Sequence, residues 1–225
     1  MKKSWIIPAV ALVIAALVNF VARATGNAPV AAMVKPALLP LIALTTVAAA
    51  GGMDSKTIRL LVIAQLLGCA GDIFLIGSGT LPFAIGLVCF LVWHIFYCIN
   101  FGGQSWKGLK PGQWAIAIAV MAAAVAGLLL AIGVKGTFLA PFAVYGFMLM
   151  MLIFSGFAGV IRGLKNPATW WIITAGAILF AFSDSLIAVQ TFGSPSVLLE
   201  FLVMVTYVIA QCLLAWGGLR LFKAD

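Results

Sequence analysis

The sequence predicts an all-α, polytopic membrane bundle of eight transmembrane helices. Two observations of bulk composition and one of patterning carry this expectation. Hydrophobic residues make up 65% of the 225 positions and charged residues only 8%, with a mean hydropathy of +1.23. A soluble domain carries roughly a quarter charged residues and about half apolar ones, so a water-soluble globular class is excluded. The third observation is that the apolar residues fall into eight runs, each long enough to approach the roughly 20 residues that cross a bilayer. A single integral membrane domain is expected over residues 1–225, since the loops are too short for anything outside the membrane.

The runs cover approximately residues 4–22, 30–50, 57–78, 81–101, 113–133, 136–160, 167–191 and 197–221, each bounded by charge, Gly, Pro or Asn. The first begins with two lysines and is followed by an Ala-Arg-Ala tripeptide at 22–24, which resembles a signal-peptide cleavage site. Its apolar stretch is long enough to span, however, and removing it would break the charge pattern, so it is taken as a helix. The fifth run is almost featureless Ala, Ile, Leu and Val and is expected to face lipid.

Charge sets the orientation. With eight alternating spans, Lys2, Lys3, Lys56, Arg59, Lys107, Lys110, Arg162, Lys165, Arg220 and Lys223 share one side, against Arg23 and Lys135 on the other. Cytoplasmic loops carry the Lys and Arg excess, so both termini are expected in the cytoplasm. One span more or fewer would scatter these pairs. The net charge of +8 thus reports topology, and no nucleic-acid partner is expected. Cys69, Cys89, Cys98 and Cys212 all lie inside apolar runs, where they behave as small hydrophobes. They have no metal-ligand spacing and give no redox signal.

The two halves resemble one another. Aligning Gly71-Asp72-Ile73-Phe74-Leu75 with Ser183-Asp184-Ser185-Leu186-Ile187 places an aspartate in spans 3 and 7, and one inserted residue brings His94 opposite Tyr207. An offset of four helices preserves orientation, the pattern of a 4+4 parallel internal repeat about an axis along the membrane normal.

Ionisable groups inside spans are costly and usually face the bundle interior or a cavity. The acids there are Asp72, Asp184 and Glu200; apart from tyrosines, Lys35 and His94 complete the set. Counting at about 1.5 Å per residue puts His94 near mid-membrane and the other four toward the outer end, so one chamber opening to the outer leaflet is expected to collect them all. Helical spacing aligns Gln65, Gly68 and Asp72 in span 3. It also aligns Gly86, Phe90, His94 and Tyr97 in span 4, Gly176, Phe180, Ser183, Asp184 and Ile187 in span 7, and Glu200, Tyr207 and Gln211 in span 8. Each has a purely structural reading too. Lys35 would snorkel to headgroups beside a Pro36 kink, Glu200 would be solvated at the interface, and His94 would be a hydrogen-bonded core residue. Tyr97, Tyr207 and Gln211 would join helices. The aspartates resist such readings, short of an ion pair with Lys35 or His94.

Candidate chemistry follows from what is present. A catalytic zinc takes three His, Cys, Asp or Glu ligands, and one histidine with no second to join it argues against zinc, so no metal or cofactor is expected. No Gly-x-Ser-x-Gly elbow marks a serine hydrolase. Two carboxylates and an imidazole suit general acid–base chemistry on an acetal-like bond, with an oxocarbenium-like transition state. A proton relay for transport uses similar groups.

The strings Lys-Pro at 35–36, L-L-G-C-A-G-D-I-F-L at 66–75, G-L-V-C-F-L-V-W-H-I-F-Y at 86–97 and G-A-I-L-F-A-F-S-D-S-L at 176–186 resemble the YhhN family of eight-span membrane proteins. Its better-known members are lysoplasmalogenases. The resemblance covers spans 2 to 8, and Gly-Asp and His-x-x-Tyr are its most specific pieces. It puts the family's motif aspartates, proposed as catalytic, on Asp72 and Asp184, and matches a further polar residue of span 8 loosely to Gln211. It implies an intramembrane hydrolase of ether-lipid metabolism that cleaves the vinyl ether bond of lysoplasmalogens to a fatty aldehyde and a glycerophospho-headgroup. His94 or Tyr97 would position water or tune the dyad, and Lys35 would meet the phosphate, with Tyr97, Ser183, Tyr207 and Gln211 completing the substrate contacts. The substrate is then a lysophospholipid entering from membrane lipid, the location a bacterial inner (cytoplasmic) membrane, and no obligate protein partner is implied. The alternative is a proton-coupled transporter or lipid flippase using the same aspartates, which would need access from both faces. A structural or regulatory protein without chemistry would leave the aspartates without a role.

Overall fold

A computed structural model describes residues 3–194 and 196–223; Lys2, counted among the basic residues above, lies outside them. Among the described residues there are eight α-helices and no strand. They are α1 (Ile6–Ala24), α2 (Ala28–Ala50), α3 (Lys56–Ile76), α4 (Thr80–Ser105), α5 (Pro111–Ile132), α6 (Leu139–Ile161), α7 (Pro167–Phe192) and α8 (Val197–Phe222). All eight are long and apolar enough to cross a membrane, and the chain is an integral membrane protein. Short 3₁₀ turns at Lys3–Trp5 and Gly136–Phe138 lead into α1 and α6.

Local chemistry sets the helix ends. The Asn27, Ser55 and Ser196 side chains accept hydrogen bonds from the Val30, Thr57 and Leu199 N–H groups, satisfying donors that a helix start leaves free. Left-handed Gly51 and Gly133 close α2 and α5, a conformation glycine adopts without a Cβ clash. The largest departure from the expected spans is at α4, which runs to Ser105 rather than to about 101. Arg162, at the end of α6, donates to the Ser105 and Gln104 carbonyl oxygens at 2.9 and 3.2 Å. Those orphan carbonyls gain a cation where the helix dipole favours one, and the extra turn is held.

Burial concentrates where α3, α4, α7 and α8 meet, with α2 and α6 packed against them. Lipid offers no hydrophobic force between helices, so close packing through small residues does the work. A Cβ on Gly71 would lie 2.7 Å from the Phe90 ring, and one on Gly86 would lie 2.9 Å from Leu75. Those two positions let α3 and α4 approach directly beside Asp72. In contrast, α5 rests mainly on α6 and buries only Met121, Val125 and Leu129, a single stripe at helical spacing. Most of the rest faces outward, as its composition predicts, but Leu128 and Ile132 turn toward the interior and correct the expectation that the helix faces only lipid.

Candidate functional site

The site begins with a defect in α2. Pro36 and Pro40 lie inside that helix. Pro40 has no N–H, so the Pro36 carbonyl loses its intrahelical partner. Cys69 of α3 takes that place, its thiol donating to the Pro36 oxygen at 3.2 Å. The contact ties α2 to α3 one turn before Asp72. Lys35 sits next to the tie, with its Nζ 2.9 Å from Asp72 Oδ1.

Asp72 receives a second donor on its other oxygen. The Tyr207 hydroxyl of α8 donates to Oδ2 at 2.7 Å. The side chain of Asp72 is 1% exposed and that of Lys35 is 12% exposed, so this is a buried ion pair with both carboxylate oxygens engaged. An ionised carboxylate is acceptor-only, and this set of partners matches that form.

Asp184 of α7 is held differently. The Tyr145 hydroxyl of α6 donates to its Oδ2. Among the described residues, no cation lies within ion-pair distance of it. Both aspartates line one cavity, joined there by Lys35, Tyr145 and Tyr207. The remaining wall is mostly apolar, drawn from α4 (Phe83, Leu87), α5 (Leu128, Ile132), α6 and α7. A polar corner of two carboxylates, one amine and two phenols therefore closes an otherwise oily chamber, which suits a lipid chain with its reactive bond at one end.

The structure distributes the remaining expected residues around this corner. His94 is fully buried behind it. Its Nδ1 lies 2.7 Å from the Phe90 carbonyl oxygen, which accepts the ring proton, and its ring meets Tyr145 edge-on at 5.1 Å. Ser183 is turned toward α8 and donates to the Val203 carbonyl at 3.0 Å. Tyr97 and Gln211 are buried farther along the bundle, and neither they, His94 nor Ser183 are among the cavity-lining residues. Glu200 is not in the chamber either: it pairs with Arg23 at 2.6 Å, joining α1 to α8 at the end opposite the main basic cluster. The expectation that one chamber would gather every intramembrane charge is thus corrected. Glu200 has a nearer cation at the helix ends, and His94 has a backbone partner on its own helix.

Tyr145 is the site residue that sequence reasoning missed. It is one of only three tyrosines in the chain, but it sits in a run of Phe, Val, Leu and Met without a polar neighbour. Its scarcity was the available signal. Among the described residues, no three His, Cys, Asp or Glu side chains converge where they could hold a metal.

Comparison with known proteins places this geometry in a family context. The model of the YhhN family matches residues 30–218. The human lysoplasmalogenase TMEM86B is 28% identical over 162 residues, 72% of this chain and 64% of that protein. Human lysoplasmalogenase TMEM86A is 30% identical over 166 residues, 70% of this chain and 64% of that protein. The chain thus spans just under two-thirds of the length of these relatives. No solved structure matches it.

Proposed function

The chain belongs to the YhhN family, and on that premise we propose that it is an intramembrane hydrolase cleaving the vinyl ether bond of lysoplasmalogens. The observation that carries the proposal is the pair of unequal carboxylates, Asp72 and Asp184, facing one largely apolar cavity. The substrate is a single-chain phospholipid whose alkenyl chain lies in the cavity. The protein sits in a bacterial inner membrane with both termini cytoplasmic, as the ten-to-two distribution of basic residues argues.

Unequal surroundings divide the labour. Asp184, with no cation at ion-pair distance among the described residues and one oxygen unengaged, acts as the carboxylic acid. It delivers its proton to the alkene carbon and leaves an oxocarbenium ion. Asp72 remains the carboxylate, fixed by Lys35 and Tyr207, and faces the developing positive charge, where a preorganised anion is most effective. Water adds to the cationic carbon and yields its proton to Asp72, forming a hemiacetal. That intermediate collapses as Asp72 returns the proton to the glycerol oxygen and Asp184 takes the hemiacetal hydroxyl proton. One water is consumed, and the products are a fatty aldehyde and a glycerophospho-headgroup. Both carboxyls end as they began. His94, behind Tyr145, is a positioning residue in this scheme.

The deciding experiment is aldehyde release by purified protein from lysolipids that differ only in the vinyl ether, ether or ester link at the first carbon. Release from the vinyl ether alone supports the proposal, and release from none of them sinks it.

A further inference from the structure

Toward the basic end from Asp72, three helices turn polar groups onto one another in the middle of the core. On α3 the stripe Asp72, Gly68, Gln65 and Leu61 faces α8, whose antiparallel stripe is Tyr207, Gln211, Leu214 and Gly218. Both ends of that pairing are fixed: Tyr207 bonds Asp72, and a Cβ on Gly218 would lie 2.6 Å from Leu61. Gln211 therefore faces the Gly68–Gln65 stretch. From α4, the Trp93 indole nitrogen lies over Gly68, 3.3 Å from where its Cβ would be. One turn on, the Tyr97 hydroxyl is flanked by Gln65 and Cys212.

Gln65, Gln211 and Trp93 are 0% exposed and Tyr97 is 1% exposed. Even so, among the described residues no protein group reaches full hydrogen-bond geometry with either amide atom of Gln65 or Gln211, with the Tyr97 hydroxyl or with the Trp93 N–H, and the closest approach is that of the Tyr97 hydroxyl to the Gln65 side chain. Each such group carries a desolvation cost when left unsatisfied in a core, and six atoms in one layer is far more than packing alone tolerates. Polar interiors of this kind hold water that makes two to four hydrogen bonds.

We infer that Gln65, Trp93, Tyr97 and Gln211 form a water-binding layer beneath the cavity, within about two helical turns of Asp72. Toward the basic end, Leu61, Phe101 and Leu214, all 0% exposed, close the layer off. Hydrolysis in an oily chamber consumes one water per turnover, and on the proposed reading the alkenyl chain fills the cavity while bound. Resting on the hydrolase reading, the layer is the reservoir that resupplies water from below. Gln65 and Gln211 are then positioning residues for water, and Gln211 and Tyr97 do not contact lipid.

Radiolytic hydroxyl-radical footprinting of the intact protein in nanodiscs tests this, because radicals generated from bound water oxidise the side chains touching it. With heavy-oxygen water, Tyr97 and Trp93 are expected to take up the label, and equally buried Phe101 is not. Gln211→Met conserves volume and removes the amide. It should lower Tyr97 labelling at least about fivefold, the population change that accompanies loss of one ordinary hydrogen bond. Unlabelled Tyr97 and Trp93 in the wild type overturn the inference without any variant having to fold. Unchanged labelling in a folded Gln211→Met protein overturns the part assigned to Gln211. The footprint is read without substrate. A labelled layer with no aldehyde release therefore removes the hydrolase reading and leaves the water layer standing.

Discussion

Lys35 Nζ lies 2.9 Å from Asp72 Oδ1, so the amine expected to meet a lipid phosphate is paired with a carboxylate inside the bundle. An equivalent relation recurs in the second half, where Tyr145, on the helix before, donates to Asp184. That recurrence is what the proposed 4+4 parallel repeat would produce. The two pairs differ in charge: one aspartate is matched with a cation and the other with a phenol. On the proposed mechanism this difference separates the stabilising carboxylate from the acid.

Removing the cation should therefore damage more than lipid binding. Breaking a buried ion pair by deleting one partner costs roughly 3–5 kcal/mol, because a lone charge remains. Lys35→Met is expected to lower the thermal midpoint and kcat together, with KM changed less. The Lys35→Met/Asp72→Asn double variant should recover most of the lost stability and none of the activity. A Lys35→Met protein of normal stability whose only defect is a raised KM would return Lys35 to phosphate binding.

The carboxylates themselves are tested by Asp72→Asn and Asp184→Asn, which keep shape and remove the titrating group. General acid–base catalysis contributes about 10²- to 10⁴-fold. Each variant should accordingly release aldehyde at least about a hundredfold more slowly while remaining folded. Near-normal turnover in both would leave the family assignment intact and end the dyad mechanism.

The two phenols should separate in their effects. Tyr207→Phe removes one of two donors from Asp72, and Lys35 still holds that carboxylate. Tyr145→Phe removes the hydrogen-bond partner given to Asp184. Loss of one hydrogen bond to a charged or reacting group is worth about 1.5–3 kcal/mol. The Tyr145→Phe turnover should thus fall by about tenfold or more, and the Tyr207→Phe turnover by less. Single-turnover rates of the two variants, measured side by side, decide the order.

Much of this was legible in the sequence, for reasons that differ by residue. The eight helices follow from apolar length alone, which membrane solvation enforces. Asp72 and Asp184 stood out because acids within the spans are so few. What was not legible was pairing across helices. The Pro36–Pro40 spacing announces a carbonyl without its helical partner, but nothing local to Lys35 says that Cys69 takes that place and ties α2 to the aspartate helix. Tyr145 reads as one more aromatic in an apolar run until α6 is placed against α7. Gln211 and Tyr97 are buried, as their helical phase predicts, but their depth relative to the cavity depends on which helices they meet.

The cavity's size near the acid offers the last test. Ala188 is one turn beyond Asp184 on α7, lines the same cavity and is 7% exposed. Ala188→Phe would fill space that an alkenyl chain occupies on the proposed reading while leaving both carboxylates unsubstituted. Each methylene that loses its apolar contact costs about 0.8 kcal/mol, so displacing two of them should weaken long-chain substrates by roughly tenfold to twentyfold. Short-chain lysolipids, which do not reach that space, should be turned over almost as before. Leu130→Phe is the matched control: Leu130 is 82% exposed on α5 and lines no part of the cavity, so it should change neither. The quantity to compare is the ratio of kcat/KM for long and short chains. An unchanged ratio in Ala188→Phe would mean that the chain lies elsewhere, and the cavity would lose its place as the substrate site.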